Sequence, residues 1–184
     1  GVAEGYLSFK SKAKYLRSRI LLGNAWTLAV AWRTLDTLVS GSTQPNLIGT
    51  AHNADTGGGG YIYQGSNTGN HGMASYPGGA QNTQTRSGTA SSWKLTIAGA
   101  DAISQSINNM SIAGSPNTEP TGAALAHSTS FVHIGSSTMA ASYGGTCDEL
   151  FAGVWDWNFA ADADACGEVY FEVKRHAAAR GIAL

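Results

Sequence analysis

Apolar and polar positions alternate along much of this chain. In "WTLAVAWR", Trp26, Leu28, Val30 and Trp32 fall on one side of an extended backbone, and Thr27, Ala29, Ala31 and Arg33 on the other. In "SWKLTIA", Trp93, Leu95 and Ile97 alternate with Ser92, Lys94 and Thr96. Shorter stretches follow the same rule: "GYLSF" (5–9), "KYLRSRIL" (14–21), "NLIGTA" (46–51), "GYIYQ" (60–64), "AISQSI" (102–107) and "SFVHIG" (130–135). Each pairs an apolar face with a small or polar one. That pattern predicts antiparallel sheets packed face to face, with Trp26, Trp32 and Trp93 in the core.

Two stretches break the alternation. Residues 65–92 are Gly, Ser, Asn, Thr and Gln with little apolar content, and read as a long surface excursion with one marginal strand near Met73. Residues 114–121, with Pro116 and Pro120, read as a second loop. Loops of this length are uncommon in compact domains unless they bind something or are disordered.

The ending changes period. Leu150 to Asn158 is apolar on both faces and predicts a central strand. Asp162 is then a helix cap, with Asp164 in the first turn. Cys166, Val169, Tyr170, Val173 and Ala177 form one stripe, while Glu168, Glu172 and Arg175 stay outside and Gly181 ends the helix. The helix is expected against the edge or end of the sandwich. The fold class is therefore an all-β antiparallel sandwich with one C-terminal α-helix, in a single domain over 1–184 that closes with strand and helix over about 147–181.

Charge adds asymmetry rather than a class. The 184 residues carry a net charge of −1, which argues against general nucleic-acid binding, and no apolar run approaches the ~20 residues that cross a bilayer. Lys10, Lys12, Lys14, Arg17 and Arg19 cluster on one predicted strand, and acidic residues gather from Asp148 to Glu172. Either these are solvated faces, or the basic strand is a partner interface meeting an acidic region of a neighbour. Cys147 and Cys166 form no metal-binding or disulfide framework and read as two separate thiols.

Candidate chemistry is sparse. Asp148 and Glu149 are adjacent, so on a strand they point to opposite faces. "GTAHNADTGGGG" (49–60) lacks the Lys-Ser/Thr and following helix of a phosphate loop. Asp55, Asn53 and loop carbonyls suit calcium, although one carboxylate is few for such a site. No other cofactor and no metal centre is implied. Asn109-Met110-Ser111 is a formal glycosylation sequon. A glycan site would draw on His52, Asn53, Asp55, Tyr61, Tyr63 and Tyr76; alternatively the tyrosines simply cover their sheet.

"YLSF", "WTLAVAWR" and "LFAGVWDWNFAADAD…EVKRHAAARGI" together resemble laminin G-like, concanavalin A-like jelly rolls. In bacterial and phage members the last core strand often leads through a "WNRALS"-like turn into a closing helix. Trp157-Asn158-Phe159-Ala160-Ala161-Asp162 is similar to that turn, departing from it at Phe159 and the alanine pair. Hydrolases of this class carry an E-x-D-x-x-E strand, which is missing here, so an enzyme is not expected. The resemblance implies a non-enzymatic phage virion protein: a capsid decoration or a head- or tail-fibre module on the virion surface. Its partners would be other virion proteins and a host glycan, and a homotrimer would suit particle symmetry. The alternatives are a carbohydrate-binding module of a secreted bacterial protein and a degenerate glycoside hydrolase.

Overall fold

The computed structural model describes residues 6–9, 15–34, 44–50, 59–65, 70–88, 92–111, 116–135 and 145–184. In chain order the strands are β1 (Leu7–Phe9), β2 (Tyr15–Leu21), β3 (Trp26–Thr34), β4 (Asn46–Gly49), β5 (Gly60–Gln64) and β6 (His71–Ser75). After a 3-10 turn at Pro77–Gly79 come β7 (Asn82–Arg86), β8 (Lys94–Ala100), β9 (Ser104–Asn109), β10 (Asn117–Pro120), β11 (Phe131–Gly135) and β12 (Cys147–Trp155). Helix α1 (Ala163–Ala178) follows.

Two six-stranded antiparallel sheets form, ordered β1-β12-β3-β8-β9-β10 and β2-β11-β4-β5-β6-β7. Trp26, Leu28, Val30 and Trp32 of β3 are all fully buried between them, packed with Ile48, Ile62, Met73 and Val132 of the other sheet. Gly60 lies under the Trp26 ring, where a Cβ would collide with it. That contact lets the largest core side chain fill the space between the sheets.

Three predicted features are corrected. The long polar stretch holds two strands, β6 and β7, and residues 114–121 contain β10. Beside the apolar Met73 they turn polar residues inward: Ser75 Oγ donates to Gln105 Oε1, and Gln84 Nε2 donates to the Gln105 carbonyl at 3.3 Å. Hydrophobic alternation cannot report such strands. Trp93 is only half-buried, lying edge-on to Tyr6 and under the Arg33 guanidinium at 5.0 Å.

The helix does not sit at an edge or end. It lies across the outer face of the first sheet, where Cys166 and Val173 pack with Ala29, Ala31, Leu95 and Ile97 of β3 and β8. The small face of β3 is thus a seat for a helix and not a solvent face, since alanines let the helix approach closely. Strand β12 is apolar on both sides for the same reason, with the core beneath it and the helix above. Both cysteines are free and buried.

The turn into the helix is clamped to the sheet. Thr27 Oγ1 donates to the Trp157 carbonyl at 2.8 Å and accepts from the Phe159 N–H at 3.0 Å. Asn158 Nδ2 donates to Asp101 Oδ2 at 2.9 Å, while its Oδ1 accepts from the Ala160 N–H at 3.2 Å. Burial alone would raise the Asp101 carboxyl, but bonds from Ser104, Asn158 and Ile103 outweigh it and hold the group below its ordinary value. Asp162 caps α1, its Oδ1 accepting from the N–H groups of Asp164 and Ala165.

Candidate functional site

Strand β5 places Ile62 in the core and turns Tyr61 and Tyr63 outward. Tyr76, just after β6, joins them: the Tyr61 ring lies 5.6 Å from Tyr63 and 6.3 Å from Tyr76. Gly72 stands opposite Tyr63 on β6, where any Cβ would meet its ring, so the tyrosine lies flat over the neighbouring strand. The three residues are not equivalent. Tyr61 is 2% exposed and its hydroxyl accepts from Gln81 Nε2 at 2.9 Å, which makes it the support. Tyr63 and Tyr76 are half-buried and form the accessible part of the platform.

His52, Asn53 and Asp55, the other members of the predicted site, lie outside the described residues. The stems flanking that segment are well held. Thr50 N–H donates to the Gly60 carbonyl at 2.9 Å, and Gly60 N–H donates to Thr50 Oγ1 at 3.1 Å. Thr50 and Gly60, which flank that segment, thus lie at the end of β4 and β5 nearest Tyr61.

Of the predicted basic interface, Lys10, Lys12 and Lys14 lie outside the described residues. Arg17 and Arg19 are exposed on β2, an edge strand, and the Arg17 guanidinium lies 4.9 Å from the Phe131 ring centre. Leu16, Ile20 and Leu21 beside them are 49%, 46% and 48% exposed. The acidic counterpart needs correction. Asp148 is buried in an ion pair with Arg33 at 2.8 Å and accepts from Ser8 Oγ, and Glu149 is interior. Asp156, Asp162 and the helical Asp164, Glu168 and Glu172 face solvent. Between α1 and β12 runs an apolar groove of about 310 Å³, floored by Phe151, Trp155, Val169 and Val173 and rimmed by Glu168 and Glu172.

The carboxylates do not form a hydrolytic pair. Asp148 and Glu149 point to opposite faces of β12, and Asp156 is exposed beyond its end. Among the described residues no three His, Cys, Asp or Glu converge as metal ligands. Asn109 is 2% exposed and its Nδ2 donates to the Ser87 carbonyl at 3.0 Å, so the sequon's acceptor nitrogen is internal. Sequence reasoning did not single out Lys94, which is 1% exposed, with its Nζ 4.2 Å from the Trp32 ring centre and donating to the Ser92 carbonyl at 3.0 Å. Burial lowers its pKa to about 8.

No family model matches this chain, and no curated protein matches its sequence. Solved structures do match. Domains LG4-5 of the mouse laminin alpha1 chain superpose with a TM-score of 0.52 at 12% identity, over 77% of this chain and 39% of that one. The chain folds as a laminin G-like jelly roll. The binding domain of botulinum neurotoxin serotype D gives a TM-score of 0.62 at 8% identity, over 90% of this chain and 41% of that one. A heptameric SAP-like pentraxin from Limulus polyphemus gives 0.56 at 14% identity, covering 82% and 75%. This chain thus spans well under half of the laminin and toxin structures, and at these identities the likeness is one of fold.

Proposed function

We propose that this jelly roll is a non-enzymatic recognition module that binds glycan through the Tyr63–Tyr76 platform and the adjoining 51–58 segment. The carrying observation is the platform itself: two half-buried rings braced on a buried Tyr61. Aromatic rings offer an apolar body to a sugar's C–H face and a hydroxyl for its polar groups. Several fold neighbours are toxin binding domains, which supports the reading.

The setting we propose is the surface of a phage virion, as a decoration or fibre module assembled as a trimer. Support comes from the closing turn and helix, residues 155–181, and from the exposed edge strand β2. A secreted carbohydrate-binding module would use the same platform. Association with purified phage particles separates the two.

A glycan array probed with the wild type and with Tyr63→Ala tests the platform. Wild type is expected to bind a discrete set of glycans, and Tyr63→Ala to bind them at least about tenfold more weakly while keeping its fold by circular dichroism. Equal binding by both proteins, or reducing ends released from the bound glycan, would overturn the reading.

A further inference from the structure

Basic residues are missing from two long stretches of the chain: no Lys or Arg occurs between Arg33 and Arg86, or between Lys94 and Lys174. Strands β4 to β7 and Tyr76, and so the whole tyrosine platform, fall in the first gap. The sheet carries this into space. Tyr63 stands opposite Gly72 on β6, and Gly72 opposite Thr85 on β7; Tyr61, Ala74 and Thr83 form the next row. Directly opposed residues share a face, so these six are the outward side of the three strands. Thr83 and Thr85 are exposed, while Gln84 between them is buried. Arg86, at the end of β7, belongs to the inward row with Gln84 and stands opposite the buried His71. Strand β10, packed beside β7, has one charged residue, the acid Glu119.

The relief of this face suits an extended chain. A Cβ at Gly72 would lie 2.6 Å from both Cζ and Oη of Tyr63, so that ring reaches across β6 towards β7. Tyr76 leaves the far end of β6. Thr83 and Thr85 stand beside β6 on the neighbouring strand, about 7 Å apart at the usual rise of a strand. A glycan stacked on Tyr63 and Tyr76 therefore runs along β6 with both threonine hydroxyls at its β7 side. A hydroxyl donates and accepts, as sugar hydroxyls do. A carboxylate or sulfate laid on the same face would shed water and meet no cation, which is costly.

We infer that the ligand of the platform is a neutral glycan chain, free of carboxylate, sulfate and phosphate groups, held along β6 by the two rings and by the Thr83 and Thr85 hydroxyls. The inference rests on the glycan reading given above and adds the class of glycan and the two threonines. Recognition here is by stacking and hydroxyl pairing, without an ion pair.

Calorimetric titration with neutral oligosaccharides of the cello-, manno-, malto- and chito-series, and with acidic oligogalacturonate, hyaluronan and oligosialic acid, tests the class. At least one neutral chain is expected to bind saturably and no acidic chain to bind. The affinity should stay within about twofold between about 0.05 and 0.5 M salt, because no ion pair is present to be screened. Thr83→Val and Thr85→Val each remove a hydroxyl and keep a branched side chain, and each should weaken binding about fivefold, the loss of one hydrogen bond. Tyr63→Ala reports on the platform separately. Preference for an acidic chain, affinity that falls with salt, or full affinity in both threonine variants would overturn this inference and leave the platform standing where Tyr63→Ala still weakens binding. Binding that Tyr63→Ala leaves untouched, or no binding of any chain, would remove the platform and this inference with it.

Discussion

Lys94 shows what a single interior charge costs this fold. Its ammonium is packed on the Trp32 ring and has one carbonyl acceptor, with no carboxylate at hand among its bonded partners. The lowered pKa, about 8 against an ordinary 10.5, says that the folded state binds the proton less well than the unfolded chain. Stability therefore rises as pH climbs from about 8 to about 10.5, and the full penalty persists below about 8. Lys94→Met removes that penalty. It is expected to stabilise the protein by about 1–3 kcal/mol near pH 7, with the gain shrinking towards zero above about pH 10. Urea unfolding at several pH values measures this, and a gain that did not change with pH would show that packing, not charge, separates the two proteins.

The closing helix shows how an element depends on the surface beneath it. Val173 is 1% exposed and packs towards the Ala29–Ala31 face of β3, whereas Glu172 projects into solvent beside Arg175 at 2.8 Å. Val173→Asp buries an unpaired charge and should destabilise by several kcal/mol. Glu172→Ala should change the unfolding midpoint little, since exposed ion pairs contribute little. Equal tolerance at the two positions would remove the helix from the core. The helix and its stripe were legible because period, cap and stripe agree at Asp162, Cys166, Val169, Tyr170 and Val173. Its seat was not, because Ala29 and Ala31 read alike whether they face water or a helix. Strand β7 escaped for a related reason: Gln84 turns inward and donates to the Gln105 carbonyl, and hydropathy does not distinguish an interior amide from a solvated one. At the candidate site, the alternation of Tyr61, Ile62 and Tyr63 announced the outward pair. The part of Gln81 in holding Tyr61 depends on a contact between separate segments.

At the scale of the whole molecule, the edge of the second sheet invites assembly. Among the described residues β2 pairs only with β11. Leu16, Ile20 and Leu21 lie exposed along it, interleaved with Arg17 and Arg19. An apolar edge strand of seven residues is a template for pairing, and its arginines restrain that pairing unless an acidic surface meets them. The groove between α1 and β12 is such a surface, apolar in its floor and acidic at its Glu168 and Glu172 rim. The two patches differ, so a contact between them is head-to-tail, and we propose that it closes into a ring instead of running on as a filament. Three copies are expected. Light scattering should then give about three times the 19.0 kDa protomer mass at low salt. The ring should loosen with added salt, because the screening length falls from about 10 Å at 0.1 M to about 3 Å at 1 M. Arg17→Glu with Arg19→Glu should give a folded monomer at every salt concentration. Adding Glu168→Arg and Glu172→Arg to that protein should restore the trimer, because the charges are then exchanged across the same contact. A wild type that is monomeric at low salt would dismiss the contact, and a trimer unmoved by the arginine changes would place it elsewhere on the molecule.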